Sequence, residues 1–392
     1  MTEPDRPPIA LEADACLNAR NKFSTCDLCI KTCPVNALRL GPPIALDEKV
    51  CIACGACLPV CPVGAITGKD SADDLARCVS QVPDARVVEL ACTRHTAAET
   101  GPAESTAVVQ TEGCLAALGA SAFERLLTNG TERLVVRLDA CAGCSIGSLQ
   151  PKISSNVAAV NRLTAASASA ESSEGAKPRI VEIHERDASW KTRQIIPVKN
   201  PPVSRRAMFR SFVSEGPRIA AQVLPTQDDQ ATGGKAPPLE RRRLIAAMRR
   251  QASSEGAAPT VLPGNGLGFV RLAVDAQCTA CGVCARVCPT GAIRFEEQNM
   301  SFRLTFAASA CTDCGACLDL CEPNALSRDG VPSIGVLLST APILLRTGAL
   351  STCDKCGAKF ATTGSGRLCP TCDFRVHNPF GSRQPAKIMR RP

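Results

Sequence analysis

The stretch that decides the fold is "CIACGACLPVCPVGAI", residues 51–66, together with "STCDLCIKTCPVNAL", residues 24–38, which precedes it. The later stretch has four cysteines at C-x2-C-x2-C-x3-C-P spacing. The earlier stretch repeats the last three of them, but Phe23 stands where the first cysteine is expected. This difference raises the question of whether the earlier loop lacks a ligand or takes one from elsewhere in the chain.

The same cysteine spacing occurs in two further runs. These runs are Cys278, Cys281, Cys284 and Cys288, and Cys311, Cys314, Cys317 and Cys321. A loop of this kind supplies three thiolates to a [4Fe–4S] cluster, and in two-cluster proteins its fourth cysteine ligates the other cluster. Four loops in two adjacent pairs therefore predict four [4Fe–4S] clusters.

A second feature accompanies the four loops. The residue three positions after each fourth cysteine is Asn36, Gly64, Gly291 or Asn324. Gly and Asn adopt the left-handed backbone conformation more readily than other residues. We therefore predict a positive φ at the turn that leaves each cluster.

Because of these four loops, the segments 10–70 and 270–330 closely resemble the bacterial dicluster ferredoxins. The resemblance implies crossed ligation, in which each loop gives three cysteines to one cluster and one to its neighbour. It assigns Cys51, Cys54, Cys57 and Cys33 to a second site, Cys278, Cys281, Cys284 and Cys321 to a third site, and Cys311, Cys314, Cys317 and Cys288 to a fourth site. The opening site then contains Cys26, Cys29 and Cys61 and needs one more ligand.

The nearest unused cysteine to the opening site is Cys16. An excursion between Cys16 and Cys26 can return its first residue to the site at a modest cost in loop-closure entropy. "CLNARNKFSTC" is then a longer ligand loop in place of the compact one. The alternatives are a [3Fe–4S] centre with three cysteines and a labile cluster with a non-cysteine ligand.

The composition favours bound metal over disulfides as the role of the cysteines. The chain has 392 residues and 25 cysteines. Its first residues have neither the basic nor the apolar region of a signal peptide, so we expect a reducing, cytoplasmic location. No apolar run is long enough for a membrane span, which we therefore do not expect.

The net charge is +8, and basic residues concentrate at 204–210, 240–250 and the C-terminal tail. Such patches can bind nucleic acid or an acidic redox partner. The chain has no Tyr and one Trp. Because stacking on single-stranded nucleic acid needs aromatic side chains, we do not expect a nucleic-acid partner.

Residues 84–185 alternate between short β-branched runs and helical patterns. The predicted strands are 85–90, 106–111, 133–138 and 179–184, and residues 114–130 have helical amphipathicity that ends on Gly130. Gly is a favourable residue just beyond a helix C-terminus. This alternation predicts a small parallel α/β sheet.

Several cysteines follow the predicted strands of this block. They are Cys92, Cys114, Cys141 and Cys144, which we call the middle site. Because the carboxyl ends of parallel strands face a ligand crevice, these residues are expected to converge. The constellation loosely resembles the iron–sulfur delta subunit of methyl-viologen-type hydrogenases, which implies a [2Fe–2S] centre.

Other interpretations of the middle cysteines stay open. The pair in "CAGC" is also typical of a redox-active dithiol, and buried, inert cysteines are a third possibility. Cys78 is predicted to pack in the core. His95 is either an alternative ligand or, as we expect, a hydrogen-bonded histidine on the surface.

The end of the chain contains a further pair of C-x2-C knuckles. They are formed by Cys353, Cys356, Cys369 and Cys372, which we call the tail site. Four thiolates at this spacing predict a closed, structural Zn²⁺ site that folds a segment too small to bury its own core. A rubredoxin-like iron centre is the alternative.

These features together predict an α+β multidomain protein. The expected units are a dicluster module at 1–70, a small α/β domain at 71–200, a basic flexible linker at 201–265 with one basic helix in it, a second dicluster module at 266–332 and a zinc-ribbon-like tail at 333–392. No P-loop, dinucleotide-binding motif or catalytic triad is found in the sequence, which favours a non-catalytic subunit.

We expect electron transfer to or from a larger oxidoreductase. By analogy the partner is a complex of the hydrogenase, formate dehydrogenase or heterodisulfide-reductase type. The alternative is an accessory or maturation factor whose clusters are structural or sensory.

Overall fold

The computed structural model of the protein describes residues 9–82, 86–167, 178–201, 236–255, 266–362 and 366–381. The predicted excursion at 167–178 falls almost wholly outside these ranges. The basic segment 204–210, most of the predicted linker and the basic C-terminal tail also lie outside the described residues.

The first module is built from very short elements. The strands β1 (Ala10–Leu11) and β4 (Ile66–Thr67) pair antiparallel, as do β2 (Leu38–Arg39) and β3 (Ala45–Leu46), and the helices are α1 (Leu17–Arg20) and α2 (Leu28–Thr32). Ile9, Leu38, Ile44 and Ile66 form a small core with the buried cysteines Cys16 and Cys29. A core this small leaves the cysteine sites as a main contributor to the stability of the module.

The four turns that leave the cysteine loops have the predicted conformation. The φ angles are 54° at Asn36, 66° at Gly64, 66° at Gly291 and 54° at Asn324. Gly and Asn therefore occupy these positions because the backbone is left-handed there.

The middle domain contains a five-stranded parallel sheet of order β11-β7-β5-β8-β9. Its strands are β5 (Val87–Cys92), β7 (Ala107–Thr111), β8 (Arg133–Arg137), β9 (Ile180–Ile183) and β11 (Ile195–Pro197). The four predicted strands are confirmed. The sequence did not indicate β11, a three-residue edge strand that ends in proline, a residue confined to sheet edges.

Three helices accompany this sheet, and a short antiparallel pair lies beside it. The helices are α3 (Ala72–Gln81), α4 (Ala120–Thr128) and α5 (Gln150–Ser167), and the pair is β6 (Thr100–Gly101) with β10 (Lys191–Thr192). The predicted helix within 114–130 is confirmed, although it begins only after Gly119. Val88, Leu90, Phe123 and Leu126 are part of the core that the helices share with the sheet.

Helix α6 (Leu239–Glu255) lies in the segment that the sequence predicts as a flexible linker. Its residues Leu244, Ile245, Ala247 and Met248 are buried. Leu244, Ile245 and Met248 lie at i+3, i+4 and i+7 from the buried Arg241. They form an apolar stripe that packs against the rest of the protein. The described part of this segment is therefore a helix, as the sequence predicts, and this helix packs against the protein.

The second module repeats the first and is extended by a strand from the expected tail. Its strands are β12 (Leu272–Val274), β13 (Ile293–Gln298), β14 (Ser301–Phe306) and β15 (Leu326–Arg328), and its helices are α7 (Val283–Val287), α8 (Ala316–Asp319) and α9 (Ile334–Leu338). Strand β16 (Ile343–Ala349) pairs antiparallel with β14. The structure thus places residues up to 349 against the second module.

The chain ends in a compact segment around the tail cysteines. It contains β17 (Ser351–Thr352), β18 (Lys359–Phe360) and α10 (Pro370–His377). Among the described residues, no helix is both long and apolar enough to cross a bilayer.

Candidate metal centres

The third site has the clearest geometry among the candidate iron–sulfur sites. Its four cysteines, Cys278, Cys281, Cys284 and Cys321, line one small cavity together with Phe295 and Phe302. Burial raises the pKa of Cys284 to about 12, and the charges of Cys281 and Cys278 add to this effect. Cys321 comes from the other loop of the module, so thiols of both loops line this cavity.

The compact loops owe their shape to two left-handed residues each. These are Ala53 and Gly55, Ala280 and Gly282, and Asp313 and Gly315, with φ between 50° and 78°. Successive turns of this kind direct backbone N–H groups towards a shared anion. In the fourth site, the N–H of Asp313 approaches the Sγ of Cys311 at 3.5 Å.

The fourth site is assembled in the same crossed manner. Burial raises the pKa of Cys311 to about 12, where the N–H of Asp313 and the Arg241 guanidinium oppose the shift and the Cys288 thiolate adds to it. Cys317 also has a raised pKa, chiefly through burial, with the charges of Cys311, Cys314 and Cys288 adding to it. Cys288, from the other loop, therefore lies among the three thiols of this loop.

The second site gathers cysteines from both loops of the first module. Burial raises the pKa of Cys54, the N–H of Ala56 opposes the shift, and the charges of Cys33 and Cys51 reinforce it. Burial also raises the pKa of Cys57 to about 12, with the Cys54 thiolate adding to the shift. Cys33 thus completes the set Cys51, Cys54 and Cys57.

The opening site departs from the other loops, as Phe23 in the sequence indicates. Instead of a left-handed turn after Cys26, residue Asp27 has a φ of −131° and α2 begins at Leu28. The compact turn that would place a ligand at residue 23 is therefore missing from this described loop.

The structure brings Cys16 to the opening site. Burial raises the pKa of Cys26, the N–H of Leu28 opposes this, and the thiolates of Cys61 and Cys16 add to it. The side-chain amide of Asn18 donates to the carbonyl oxygen of Cys26 at 2.9 Å. This hydrogen bond ties the two ends of the excursion together, so that four thiols meet where the sequence leaves one ligand unassigned.

The raised pKa values have a common chemical meaning. Four buried thiols in one place cannot all ionise without strong mutual repulsion. Bound metal cations reverse this penalty, because thiolate is the form that metals bind. The donor sets therefore fit thiolate-ligated iron.

The middle site forms where three strands of the parallel sheet end. Cys92, Cys114, Cys141 and Cys144 line one small cavity together with Ile146 and Ile153. Burial raises the pKa of Cys114 to about 12, and the charges of Cys92, Cys54 and Cys141 contribute. The structure thus brings the four middle cysteines together, whereas Cys78 packs in the core on α3.

The expectation of a surface histidine at position 95 is wrong. His95 is buried, its Nε2 lies 3.0 Å from an Asp139 carboxylate oxygen, and its Nδ1 accepts from the N–H of Ala97. Both ring nitrogens are engaged within the protein, so His95 is held as a neighbour of the middle site.

A buried ion network underlies the middle site, and sequence reasoning missed it. Arg137 donates to Glu89 at 2.8 Å and to both carboxylate oxygens of Asp139 at 2.9 and 3.0 Å. Trp190 covers the guanidinium at 4.5 Å, and Arg193 forms a further ion pair with Glu89. The available signals were Glu89 in the apolar run of β5 and Arg137 next to the valines of β8.

The charges of this network are mutually stabilising. Burial opposes ionisation of Asp139, but hydrogen bonds from His95 and Arg137, together with the charge of Arg137, hold the pKa of that carboxyl below its usual range. A buried charge is tolerated only when it is paired in this way.

The tail site brings four thiols into one small volume. The ligand atoms of Cys353, Cys356, Cys369 and Cys372 all lie within 4.8 Å of one another. The N–H of Cys369 donates to the Sγ of Cys353 at 3.2 Å and lowers the pKa of that thiol to about 6. The site also contacts the second module, because the N–H of Ala361 donates to the carbonyl oxygen of Thr279 at 2.9 Å.

Comparison with known proteins identifies the modules. Residues 24–65 and 277–325 match the 4Fe-4S dicluster domain family. These two segments thus have the dicluster domain, whose description names 4Fe-4S clusters.

Several curated proteins are similar to parts of the chain. A ferredoxin of Alicyclobacillus acidocaldarius is 54% identical over 39 residues, 10% of this chain and 50% of that protein. One of the subunits of the tetrathionate reductase of Archaeoglobus fulgidus is 36% identical over 61 residues, 14% of this chain and 30% of that protein. A component of the hydrogenase-4 of Escherichia coli is 46% identical over 44 residues, 11% of this chain and 22% of that protein. The chain thus spans half or less of the length of these relatives.

Proposed function

We propose that the protein transfers single electrons to or from a larger oxidoreductase through four [4Fe–4S] clusters and a fifth, [2Fe–2S] centre. The observation that carries the proposal is the crossed grouping of buried thiols in the two modules. A thiolate-bound cluster supplies a reversible one-electron carrier, whose potential the protein sets through burial and hydrogen bonds to sulfur.

Each set of thiols has a distinct assignment in this proposal. The ligands are Cys16, Cys26, Cys29 and Cys61 for the opening site, with the second, third and fourth sites as the resemblance implies, and Cys92, Cys114, Cys141 and Cys144 for the [2Fe–2S] centre. The tail cysteines hold Zn²⁺. They are close enough for tetrahedral coordination, and four thiolates leave no open position for substrate.

The partner is a redox enzyme complex of the hydrogenase, formate dehydrogenase or heterodisulfide-reductase type. Two of the similar proteins are named as parts of a tetrathionate reductase and a hydrogenase. The hydrogenase-like arrangement of the middle cysteines favours the same class of partner.

The test is anaerobic purification followed by metal analysis and a reductive titration monitored by EPR. We expect about 18 iron atoms and one zinc per chain, and clusters that are reduced and reoxidised reversibly. Clusters that stay redox-silent while the protein co-purifies with an immature client enzyme would instead establish an accessory factor.

Replacement of Cys16 by serine tests the unusual ligand of the opening site. Because an alcohol oxygen is a poor ligand for iron, we expect this cluster to lose one iron and become a [3Fe–4S] centre. Such a centre gives an EPR signal in the oxidised protein, where [4Fe–4S] clusters are silent. Cys78→Ala, which removes a buried thiol outside the sites, is the control and should leave the spectrum unchanged. The same oxidised signal in the unmodified protein would rule out Cys16 as a ligand.

Replacement of Cys141 by serine tests the fifth centre. We expect the loss of a [2Fe–2S] EPR signal and of about two iron atoms per chain, with the [4Fe–4S] signals retained. An unchanged iron content in this variant would mean that the middle cysteines serve thiol chemistry or packing.

A further inference from the structure

We infer that the five candidate redox sites form one unbranched series in the order middle, second, opening, fourth, third, with α6 holding the two halves of the series together. The inference rests on the proposed function, since it concerns how those sites are connected. The order in space differs from the order in the chain. The middle site lies between the two modules in the sequence, but it stands at one end of the series.

The first connection joins the middle site to the second site. Cys54 packs against the same core cluster as Cys92 and Cys114, and Ala56 is fully buried in that core. At Gly55, which has a φ of 75°, a Cβ atom would lie only 2.9 Å from the Cβ of Ala117. The absence of a side chain thus allows the second-site loop to lie directly on the turn that follows Cys114.

Two further connections lie within the modules. In the first module, Cys29 of the opening site and Cys57 of the second site pack in one small hydrophobic core, which joins the two sites. In the second module, Cys284 of the third site and Cys317 of the fourth site pack against one hydrophobic core in the same way. Each module therefore contributes a pair of adjacent sites.

The remaining connection joins the two modules, between the opening and fourth sites. A cavity of about 300 Å³ has Leu28 and Cys61 of the first module on one side and Leu267 and Thr312 of the second on the other. Leu28 lies between two ligands of the opening site, and Thr312 lies between two ligands of the fourth. The ligand loops of the opening and fourth sites thus line one cavity at this junction.

Helix α6 fixes this junction by binding both halves near its first turn. Glu240 accepts hydrogen bonds from the N–H and the hydroxyl of Ser121 at 2.8 and 2.5 Å, at the N-terminus of α4. A side chain at Gly119 would collide with this carboxylate. Arg243 forms ion pairs with Asp70 and Asp73 in the first half.

The neighbouring residue on α6 binds the second half. Arg241 donates to the carbonyl oxygens of Leu267 at 3.2 Å, of Gly268 at 2.9 Å, and of Cys311. Its guanidinium also lies over the Phe269 ring at 4.4 Å. Because Glu240 and Arg241 are adjacent in one rigid helix, the fourth site cannot move away from the first half without breaking these contacts.

The series has two ends, at which partners must act. A one-electron donor protein reduces the centre at one end, and a one-electron acceptor protein oxidises the centre at the other. Each transfer between neighbours oxidises one centre and reduces the next by one electron. The third site is suited to be an end, because its Cys281 is exposed.

The test is EPR of the dithionite-reduced protein, in which neighbouring paramagnetic clusters split and broaden each other's signals. We expect magnetic interaction within each module and also between the opening and fourth sites. In the double variant Glu240→Ala and Arg241→Ala, the interaction between the modules should be lost, whereas those within the modules stay. Arg242→Ala, an exposed position on the same helix, is the matched control and should retain all of them.

The outcomes separate this inference from the proposed function. Reversible clusters in the unmodified protein with interaction inside the modules but none between them would overturn the series and leave the proposed function intact. Redox-silent or missing clusters would overturn both. If the double variant fails to fold, the presence or absence of the inter-module interaction in the unmodified protein decides. A Cys141→Ser variant that retains this interaction supports the terminal position of the middle site.

Discussion

Replacing Arg137 by methionine is expected to lower the free energy of unfolding of the middle domain by about 3–5 kcal/mol, because it removes the buried cation that Glu89 and Asp139 share. The side chains of Arg137 and Glu89 are both 0% exposed. The variant would leave Asp139 buried beside the middle site with its two hydrogen bonds from Arg137 lost.

Urea denaturation followed by the fluorescence of Trp190 measures this effect. Trp190 is the only tryptophan of the chain, and its ring lies over the Arg137 guanidinium. Because the substitution also changes the native fluorescence, the midpoint and slope of the transition are compared, not its amplitude.

Arg86→Met is the matched control in the same domain. Arg86 forms a bidentate pair with Glu132, but the two side chains are 71% and 57% exposed. Exposed pairs contribute at most about 1 kcal/mol. Equal destabilisation by the two substitutions would show that the buried network is not what stabilises this domain.

With Zn²⁺ bound as proposed, removing it from the tail site is expected to unfold residues 351–362 and 366–377. The core of this segment consists mainly of Phe360 with Cys353, Cys369 and Cys372, which is too little apolar surface to hold the segment without a metal. Cys372→Ser should abolish tight zinc binding and the protection of the segment from hydrogen exchange. Lys355→Ala, an exposed residue between two ligands, should leave both unchanged.

The same site should release its metal as the pH falls. Protons compete with the metal for thiolates, so binding strengthens above the pKa of each ligand and weakens below it. The hydrogen bond from the Cys369 N–H lowers the pKa of Cys353 to about 6. A hydrogen bond with Cys356 is the main cause that raises the pKa of Cys372 to about 12. A zinc-chelating dye measures the release. Full protection of residues 351–362 and 366–377 after complete zinc loss would contradict a structural role for the metal.

The sequence predicted the cysteine loops well, because their ligands lie within a few residues of each other. The spacing of Cys278, Cys281 and Cys284 is a local property, and so is the left-handed turn at Gly291. The two left-handed positions inside each compact loop were not predicted, and the first of them is occupied in two loops by Ala53 and Ala280, residues that ordinarily avoid this conformation. The only signal in the sequence for these turns was a short residue followed by Cys-Gly, which recurs at 53–55, 280–282 and 313–315.

Features that depend on distant contacts were harder to predict. In α6 the run of arginines concealed the apolar stripe, because Arg241 is itself buried by contacts with the second module. Strand β16 was assigned to the tail, since nothing near Ile343 indicates pairing with β14. His95 was expected on the surface because its partner, Asp139, is distant in the sequence.

The arrangement of the chain also has a consequence for biogenesis. All candidate ligands of the opening, second and middle sites lie before residue 145, and the last strand of the parallel sheet ends at Pro197. Helix α6 and the whole second module emerge later from the ribosome. The first half can thus fold and receive its iron during translation, before the segments that join it to the second half have been synthesised.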